Sequence, residues 1–367
     1  MAAEAGRLKA RIDRLDAPKR TAGIDLARGI AVIGMFTAHL VETPEFEWGT
    51  PSSWEALAHG NSSILFATLA GVSIALVTGG QAPVARDRAG TARGRIALRA
   101  VCIWLIGVLL LGLGTPIYII LPAYGILYLV ALPVLRWRAP ALFAAALVTA
   151  VAGPFLVYAI NLWPGWSTQG GTLLEELTGW HYPWVLWAAF VFCGMGIGRL
   201  NLRDVQVAGG LAVIGLILAS RIYGRLRVRL EGEPQSGLLG TVFSAEPHSS
   251  SLLESLGSGG FAMLVIAVCL LICLRRAPRP VAIPVRIITW PLRALGAMPL
   301  TAYTLQVVVW AVMQATVGDP RYFPTFWPLT LAMLAFCTLW ALLVGRGPLE
   351  AGISALARML VRSRAVT

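Results

Sequence analysis

The chain has 367 residues, of which 57% are hydrophobic and only 13% charged, with a formal net charge of +12. That balance excludes a water-soluble globular domain, and basic residues dispersed between long apolar runs argue against a nucleic-acid surface. Those runs approach the roughly 20 residues of a membrane-spanning helix and lack the alternation of barrel strands, so the fold class is all-α: a polytopic transmembrane helical bundle.

Residues 1–22 form a basic tail with Arg7, Lys9, Arg11, Arg14, Lys19 and Arg20. The bundle follows over residues 23–346. The apolar pattern predicts ten spans, near 24–41, 60–79, 99–114, 119–135, 140–160, 183–199, 205–221, 258–274, 294–316 and 326–344. Residues 24–41 imitate the core of a signal peptide, but no small-x-small cleavage site follows and further spans do, so the segment reads as retained. An even number of spans puts both termini on one side. The basic tail, the run Arg86 to Arg99, and Arg275, Arg276 and Arg279 make that side cytoplasmic. The acidic residues Glu42, Glu45, Glu47, Glu175, Glu176, Glu231, Glu233, Glu246 and Glu254 then lie outside. Only two of the 30 basic residues are Lys, and Ala and Gly abound. This composition points to a bacterial plasma membrane.

The first span, GIDLARGIAVIGMFTAH (23–39), carries Asp25, Arg28 and His39. Ionisable groups within a span are expensive and mark a site by default. Arg28 and His39 are eleven residues apart, so they sit about 20° apart around the helix and about 16 Å apart along it. Asp25 is within pairing range of Arg28. Beside this polar stripe run Ala27, Ala31, Gly34 and Ala38, which permit close helix contact. Two readings of the Asp25–Arg28 pair stand: an ion pair at the inner interface, or the lining of an interior cavity.

All four histidines fall on the outer side: His39 ends the first span, His59 opens the second, His181 opens the sixth, and His248 lies in a loop. His59 stands in WEALAHGNSSILF, four residues after Glu55 and just before Asn61, Ser62 and Ser63. If 55–59 is helical, Glu55 orients the imidazole, and an oriented His suits general-base chemistry near neutral pH. The alternative is an interfacial His beside a helix capped by Asn61 or Ser62.

RIYGRLRVRL (221–230) places Arg221, Arg225, Arg227 and Arg229 outside, where they meet either lipid phosphate or an anionic substrate, unless the seventh span is threaded otherwise. The ninth span is unusually polar, with Thr301, Tyr303, Thr304 and Gln306; Tyr118, Tyr124 and Tyr128 mark the fourth. These groups either line a cavity or bond neighbouring helices. Pro116, Pro122 and Pro299 break or kink their helices. The five cysteines lie in apolar segments with no metal-ligand pattern, so no metal is expected. Residues 347–367 place Leu349, Ile353, Leu356 and Leu360 on one face, an amphipathic helix for the inner leaflet.

GIDLARGIAVIGMFTAH after Arg20, HGNSSILFATLAGVSIAL, LGAMPLTAYTLQ and GRGPLEAGISALAR together resemble the YeiB-like membrane proteins. That group is related to the heparan-α-glucosaminide N-acetyltransferase family within the transmembrane acyltransferases. The resemblance implies an enzyme that moves an acyl group, usually acetyl, from cytoplasmic acyl-CoA to an amine or hydroxyl at the external face. It places His59 at the position of the catalytic His, with Glu55 orienting it. Arg28 and His39 match the Arg-x10-His spacing of the related O-acyltransferase branch, which makes His39 a second catalytic or positioning group. For the donor it leaves Arg28, Asp25 and the arginines Arg93, Arg95 and Arg99, which either hold CoA phosphates or merely set topology. For the acceptor it leaves Asn61, Ser62, His181, His248, Tyr303 and Gln306. No Trp precedes Asn61 and the span from Ile64 to Val77 holds no acid, so the acceptor of the heparan branch does not carry over. The partners implied are the bilayer, acyl-CoA, an external small-molecule, glycan or lipid acceptor, and a second copy of the chain. Two other classes stay open: a ten-span transporter with Arg28 and His39 in its path, and a non-catalytic membrane partner or sensor.

Overall fold

The computed structural model describes Leu15, Ala17 and residues 20–41, 49–221, 237–244, 249–274, 279–322 and 324–361. His248, the 222–230 part of the external arginine segment, and most of the basic N-terminal tail lie outside them. Among the described residues the regular elements are all helical. The first seven helices are α1 (Ala22–Leu40), α2 (Asn61–Val77), α3 (Arg86–Leu111), α4 (Leu121–Val130), α5 (Ala139–Asn161), α6 (Gln169–Thr178) and α7 (Trp184–Gly198). The remainder are α8 (Val205–Arg221), α9 (Gly237–Phe243), α10 (Leu252–Ile272), α11 (Arg279–Gly296), α12 (Pro299–Thr316), α13 (Phe326–Leu343) and α14 (Pro348–Leu360).

Every predicted span contains a helix, but the helices differ in reach. Among the described residues six are long and apolar enough to cross a membrane: α1, α3, α5, α10, α13 and α2 with the turn that precedes it. The helices α4, α7 and α8 are apolar but shorter. The predicted ninth span is broken: α11 and α12 meet at 70°, and together they would make a seventh crossing. The break falls at Ala297–Met298, just before Pro299, which begins α12 because its missing N–H is no loss there. The basic run before the third span is not a loop. It is the first half of α3, whose 26 residues give about 39 Å of helix, longer than the roughly 30 Å hydrocarbon layer.

The chain divides into two compact units. The first comprises Met1–Phe66, Leu202–Val213 and Met263–Gly352. At its centre is α1, packed on α11, α12, α13 and the 3-10 turn Pro51–Ala58. Glycines set these contacts. A Cβ at Gly23 would stand 2.7 Å from the Cys269 carbonyl oxygen, one at Gly29 2.9 Å from the Leu292 carbonyl carbon, and one at Gly296 2.6 Å from the Gly29 nitrogen. The backbones of α1 and α11 therefore touch, which leaves no room for a side chain between them. Of the expected small-residue stripe, Ala27 and Ala31 are buried, while Gly34 lies against the Ser62 side chain.

The same unit explains the Gly-Pro-Leu-Glu ending. The break leaves the first amides of α12 without helical acceptors, and its N-cap Met298 offers none. Glu350 supplies them from elsewhere in the chain. One carboxylate oxygen accepts from the Leu300 and Thr301 amides at 2.8 and 3.1 Å, and the other accepts from Thr301 Oγ1 at 2.6 Å. Gly347 lets the chain come this close, because a Cβ there would lie 2.5 Å from Met298 Cβ. Replacing Glu350 with Ala is expected to lower stability by about 1–2 kcal/mol, the range of a lost helix cap, while Gln retains part of it. Thermal unfolding in detergent measures the difference.

The second unit comprises Ala67–Asn201, Ile214–Ala262 and Ile353–Thr367. Here α5 packs on α7, and α3 on α4. Near the end of α5 and the start of α7, Trp163, Trp166, Trp180 and Trp184 form a chain of ring contacts with centroids 5.4, 5.6 and 6.1 Å apart. Two of these indoles are tied down, Trp166 Nε1 donating to Ile160 O and Trp180 Nε1 to Asn161 Oδ1, each at 2.8 Å. Such rings suit a membrane–water boundary, where one edge is apolar and the other wet.

Candidate functional site

The inner half of the predicted site begins at α1. Asp25 is buried and accepts from Arg28 Nη1 at 2.8 Å, as its i,i+3 spacing requires. A partner that the spacing did not reveal is Arg20, which lies before the helix and donates through Nε at 2.9 Å and Nη2 at 2.7 Å. The group is thus a triad of two guanidiniums on one carboxylate. Far away in sequence, Arg293 of α11 is among the largest fully buried side chains of the described residues. It donates from Nη2 to the Leu15 carbonyl at 2.7 Å, fastening the chain just ahead of α1.

At the other end of α1, His39 meets the ninth predicted span. Its Nδ1 lies 3.2 Å from Nε2 of Gln306, which has no exposed surface. His59 lies between Ala58 and Ser62, which stand against Gly34 of α1. His39 and Gln306 meet although they are 267 residues apart in sequence. Tyr303, one turn before Gln306 on α12, is also buried.

The local geometry around His59 differs from the expected helix. Residues Pro51–Ala58 form a 3-10 turn, and His59 is extended at φ −66°, ψ 127°. With three residues per turn, Glu55 no longer lies beneath His59. Glu55 is exposed, and among the described residues it makes no ion pair with His59 or any other cation. The premise for its orienting role is therefore not met. Gly60 makes the turn into α2 with φ +71°, a conformation that favours glycine. Asn61 donates from Nδ2 to the Leu57 carbonyl at 3.0 Å, and Ser63 donates to Gly60 O at 2.7 Å. These bonds fix the entry into α2. Ser62 is buried against Gly34 of α1.

The remaining predicted residues belong to the second unit. On α3, Arg95 and Arg99 share a face about 40° wide, whereas Arg93 points about 160° away from Arg95. Arg93 donates to the Leu132 carbonyl at 3.3 Å. The three arginines are therefore not one cluster along the helix. His181 stacks on Tyr118, with centroids 3.4 Å apart and planes 8° from parallel, and meets the edge of Tyr182 at 5.1 Å. Burial lowers its pKa below the usual His value, which favours the neutral ring at pH 7. Among the described residues, no three His, Cys, Asp or Glu side chains gather as a metal site.

Comparison with known proteins adds one match. The family described as "Heparan-alpha-glucosaminide N-acetyltransferase, catalytic" matches residues 20–225, more than half of the chain. The matched stretch contains the Arg20–Asp25–Arg28 triad, His39 and His59; Gln306 and Glu350 fall beyond it. No curated protein matches the chain.

Proposed function

Because the chain belongs to the heparan-alpha-glucosaminide N-acetyltransferase catalytic family, we propose that it is an integral membrane acyltransferase that moves an acyl group, in the first instance acetyl, from cytoplasmic acyl-CoA to an amine or hydroxyl at the external face. One observation carries the reading: within a multi-pass membrane protein, the family-matched region holds His39 on α1 and packs the segment around His59 against the same half of that helix, where Gln306 meets His39. Polar groups are retained at such a cost in a membrane bundle where chemistry needs them.

His59 is the general base. It takes the proton of the acceptor amine or hydroxyl as the acceptor attacks the thioester carbonyl. It returns that proton to the CoA sulfur as the carbon–sulfur bond breaks. Arg20, Asp25 and Arg28, about 16 Å along α1 from His39, suit the donor end, because guanidinium groups match the geometry of a phosphate. In the second unit Arg93 is engaged by a carbonyl, which leaves Arg95 and Arg99 as that unit's candidate phosphate contacts. In the first unit acceptor contacts fall to Asn61, Ser62, Tyr303 and Gln306. The positive-inside charge pattern supports a cytoplasmic donor side, and the Arg-, Ala- and Gly-rich composition supports a bacterial plasma membrane.

The test is CoA release from acetyl-CoA by protein in proteoliposomes, supplied with a mixed pool of amines and hydroxyl compounds. Replacing His59 with Ala is expected to cut turnover by about 10²–10⁴-fold, the usual contribution of a general base. Wild-type protein that neither binds CoA nor releases it from acetyl-CoA would sink the reading and leave a translocation path through α1 as the better account.

A further inference from the structure

From Ala100 to Leu135 the sequence carries no charge, so Arg99 marks where α3 leaves the hydrocarbon layer on its basic, cytoplasmic side. The helix goes on beyond that edge. Arg95 is one turn further, about 6 Å along the axis, which is the depth of a headgroup layer. Arg88 is about 16 Å from Arg99 and so lies beyond that layer. The side of the helix that these residues occupy is equally specific. Leu109, 74% exposed, is on the outward side of α3; around the helix Arg95 is about 40° from it and Arg99 about 80°. The buried residues Ile96 and Ala100 each follow an arginine directly, about 100° round from it. Arg95 and Arg99 therefore continue the lipid-facing surface of α3 into the headgroups, away from the helices that α3 packs against.

The C-terminal helix arrives at the same depth, within the same unit. A Cβ at Gly94 would stand 3.0 Å from Val361 Cγ1, so the chain at the end of α14 lies against α3 one residue from Arg95. There α14 exposes Leu356, Met359 and Leu360 together with Arg358. Exposed apolar side chains beside exposed guanidiniums match the two parts of a phospholipid, the acyl chains and the phosphate.

We infer that Arg95 and Arg99 of α3, with Arg358 of α14, form a binding surface for an anionic phospholipid of the inner leaflet. Its phosphate meets the arginines, and its acyl chains rest beside Met359 and Leu360. The phosphate for which Arg95 and Arg99 are candidates is then a lipid's and not the donor's, and nothing in this assignment requires turnover. A zwitterionic lipid presents the same phosphate but brings its own cation, so the surface selects lipids with net negative charge.

The test places the full chain in nanodiscs of equal parts phosphatidylglycerol and phosphatidylcholine. Native mass spectrometry then counts the lipids that stay on the ejected protein. Wild-type protein is expected to retain phosphatidylglycerol in preference to phosphatidylcholine. Arg95→Gln, Arg99→Gln and Arg358→Gln are each expected to lower that preference by roughly 5-fold, the weight of one basic residue at a membrane surface. These side chains lie on the surface, where Gln is tolerated by the fold. Arg88→Gln removes the same charge beyond the headgroup layer and is expected to change the preference by less than about 2-fold. Excess CoA in the buffer is expected to leave the lipid in place. A wild type without preference, a preference that survives Arg95→Gln combined with Arg99→Gln, or one lost equally in Arg88→Gln would overturn the inference. Displacement of the lipid by CoA would overturn it too, and would return Arg95 and Arg99 to the donor.

Discussion

Asp25→Ala should destabilise the protein by about 3 kcal/mol, at the low end for breaking a buried ion pair. The carboxylate is the common acceptor for Arg20 and Arg28, and its side chain is only 5% exposed. Removing it leaves two guanidiniums facing each other where water is scarce. The side chain of Arg20 is 30% exposed and can swing toward the interface, which relieves part of the repulsion; Arg28, at 17%, has less freedom. Thermal unfolding in detergent gives the stability loss. The donor KM separates two roles for the triad. If the triad receives a CoA phosphate, Asp25 competes with that phosphate for the arginines. Asp25→Ala then lowers donor KM severalfold while it lowers stability, and Arg28→Ala raises donor KM. A purely structural triad would lose stability in both variants with donor KM unmoved.

Much of this arrangement was legible in the sequence because it is local to one helix. The i,i+3 spacing of Asp25 and Arg28, and the shared face of Arg28 and His39, need only helical periodicity. Hydropathy likewise located a helix in each of ten segments, since apolar runs are read without knowing their neighbours. What stayed hidden depends on contacts between distant parts of the chain. Gln306 stood out as polar, but nothing in LGAMPLTAYTLQ says that its amide meets His39. Glu350 belonged to a recognisable motif, yet its use as a cap for α12 requires the break at Ala297–Met298 to be seen first. Arg20 precedes the helix, so no periodicity ties it to Asp25. The Glu55–His59 expectation failed for a local reason. An i,i+4 rule presupposes an α-helix, and Pro51–Ala58 adopts the tighter 3-10 form, which rotates the two residues apart.

Arg199 is the clearest case of a residue whose role the sequence masks, and replacing it with Met is expected to cost about 3–5 kcal/mol, at about 1–3 kcal/mol for each buried acceptor left unmet. In GMGIGRL it reads as one more basic residue at the end of a span. Instead it is 5% exposed and turned inward onto the end of α2. Nη1 donates to the carbonyls of Ala75 at 2.9 Å and Gly80 at 2.8 Å, and Nη2 donates to Thr78 Oγ1 at 3.1 Å and Leu135 O at 2.6 Å. The last carbonyls of a helix lack amide partners and carry its negative dipole end, so a buried cation there satisfies both needs at once. In Arg199→Met the side chain fills similar space but donates nothing, leaving those buried carbonyls unmet. Lys is not an equivalent substitute. Its three donors share a single nitrogen and cannot reach Gly80 and Leu135 together, so Arg199→Lys should recover less than half of the loss. Amide exchange adds a local readout. The bond from the Val84 amide to the Thr78 carbonyl, 2.9 Å in the intact protein, closes the turn that Arg199 braces, and Val84 should lose protection in Arg199→Met before α2 does. If Arg199→Lys proves as stable as wild type, the fork of donors is irrelevant and the arginine acts only as a charge at the helix end. If Arg199→Met is neutral, water reaches these carbonyls and the clamp contributes nothing.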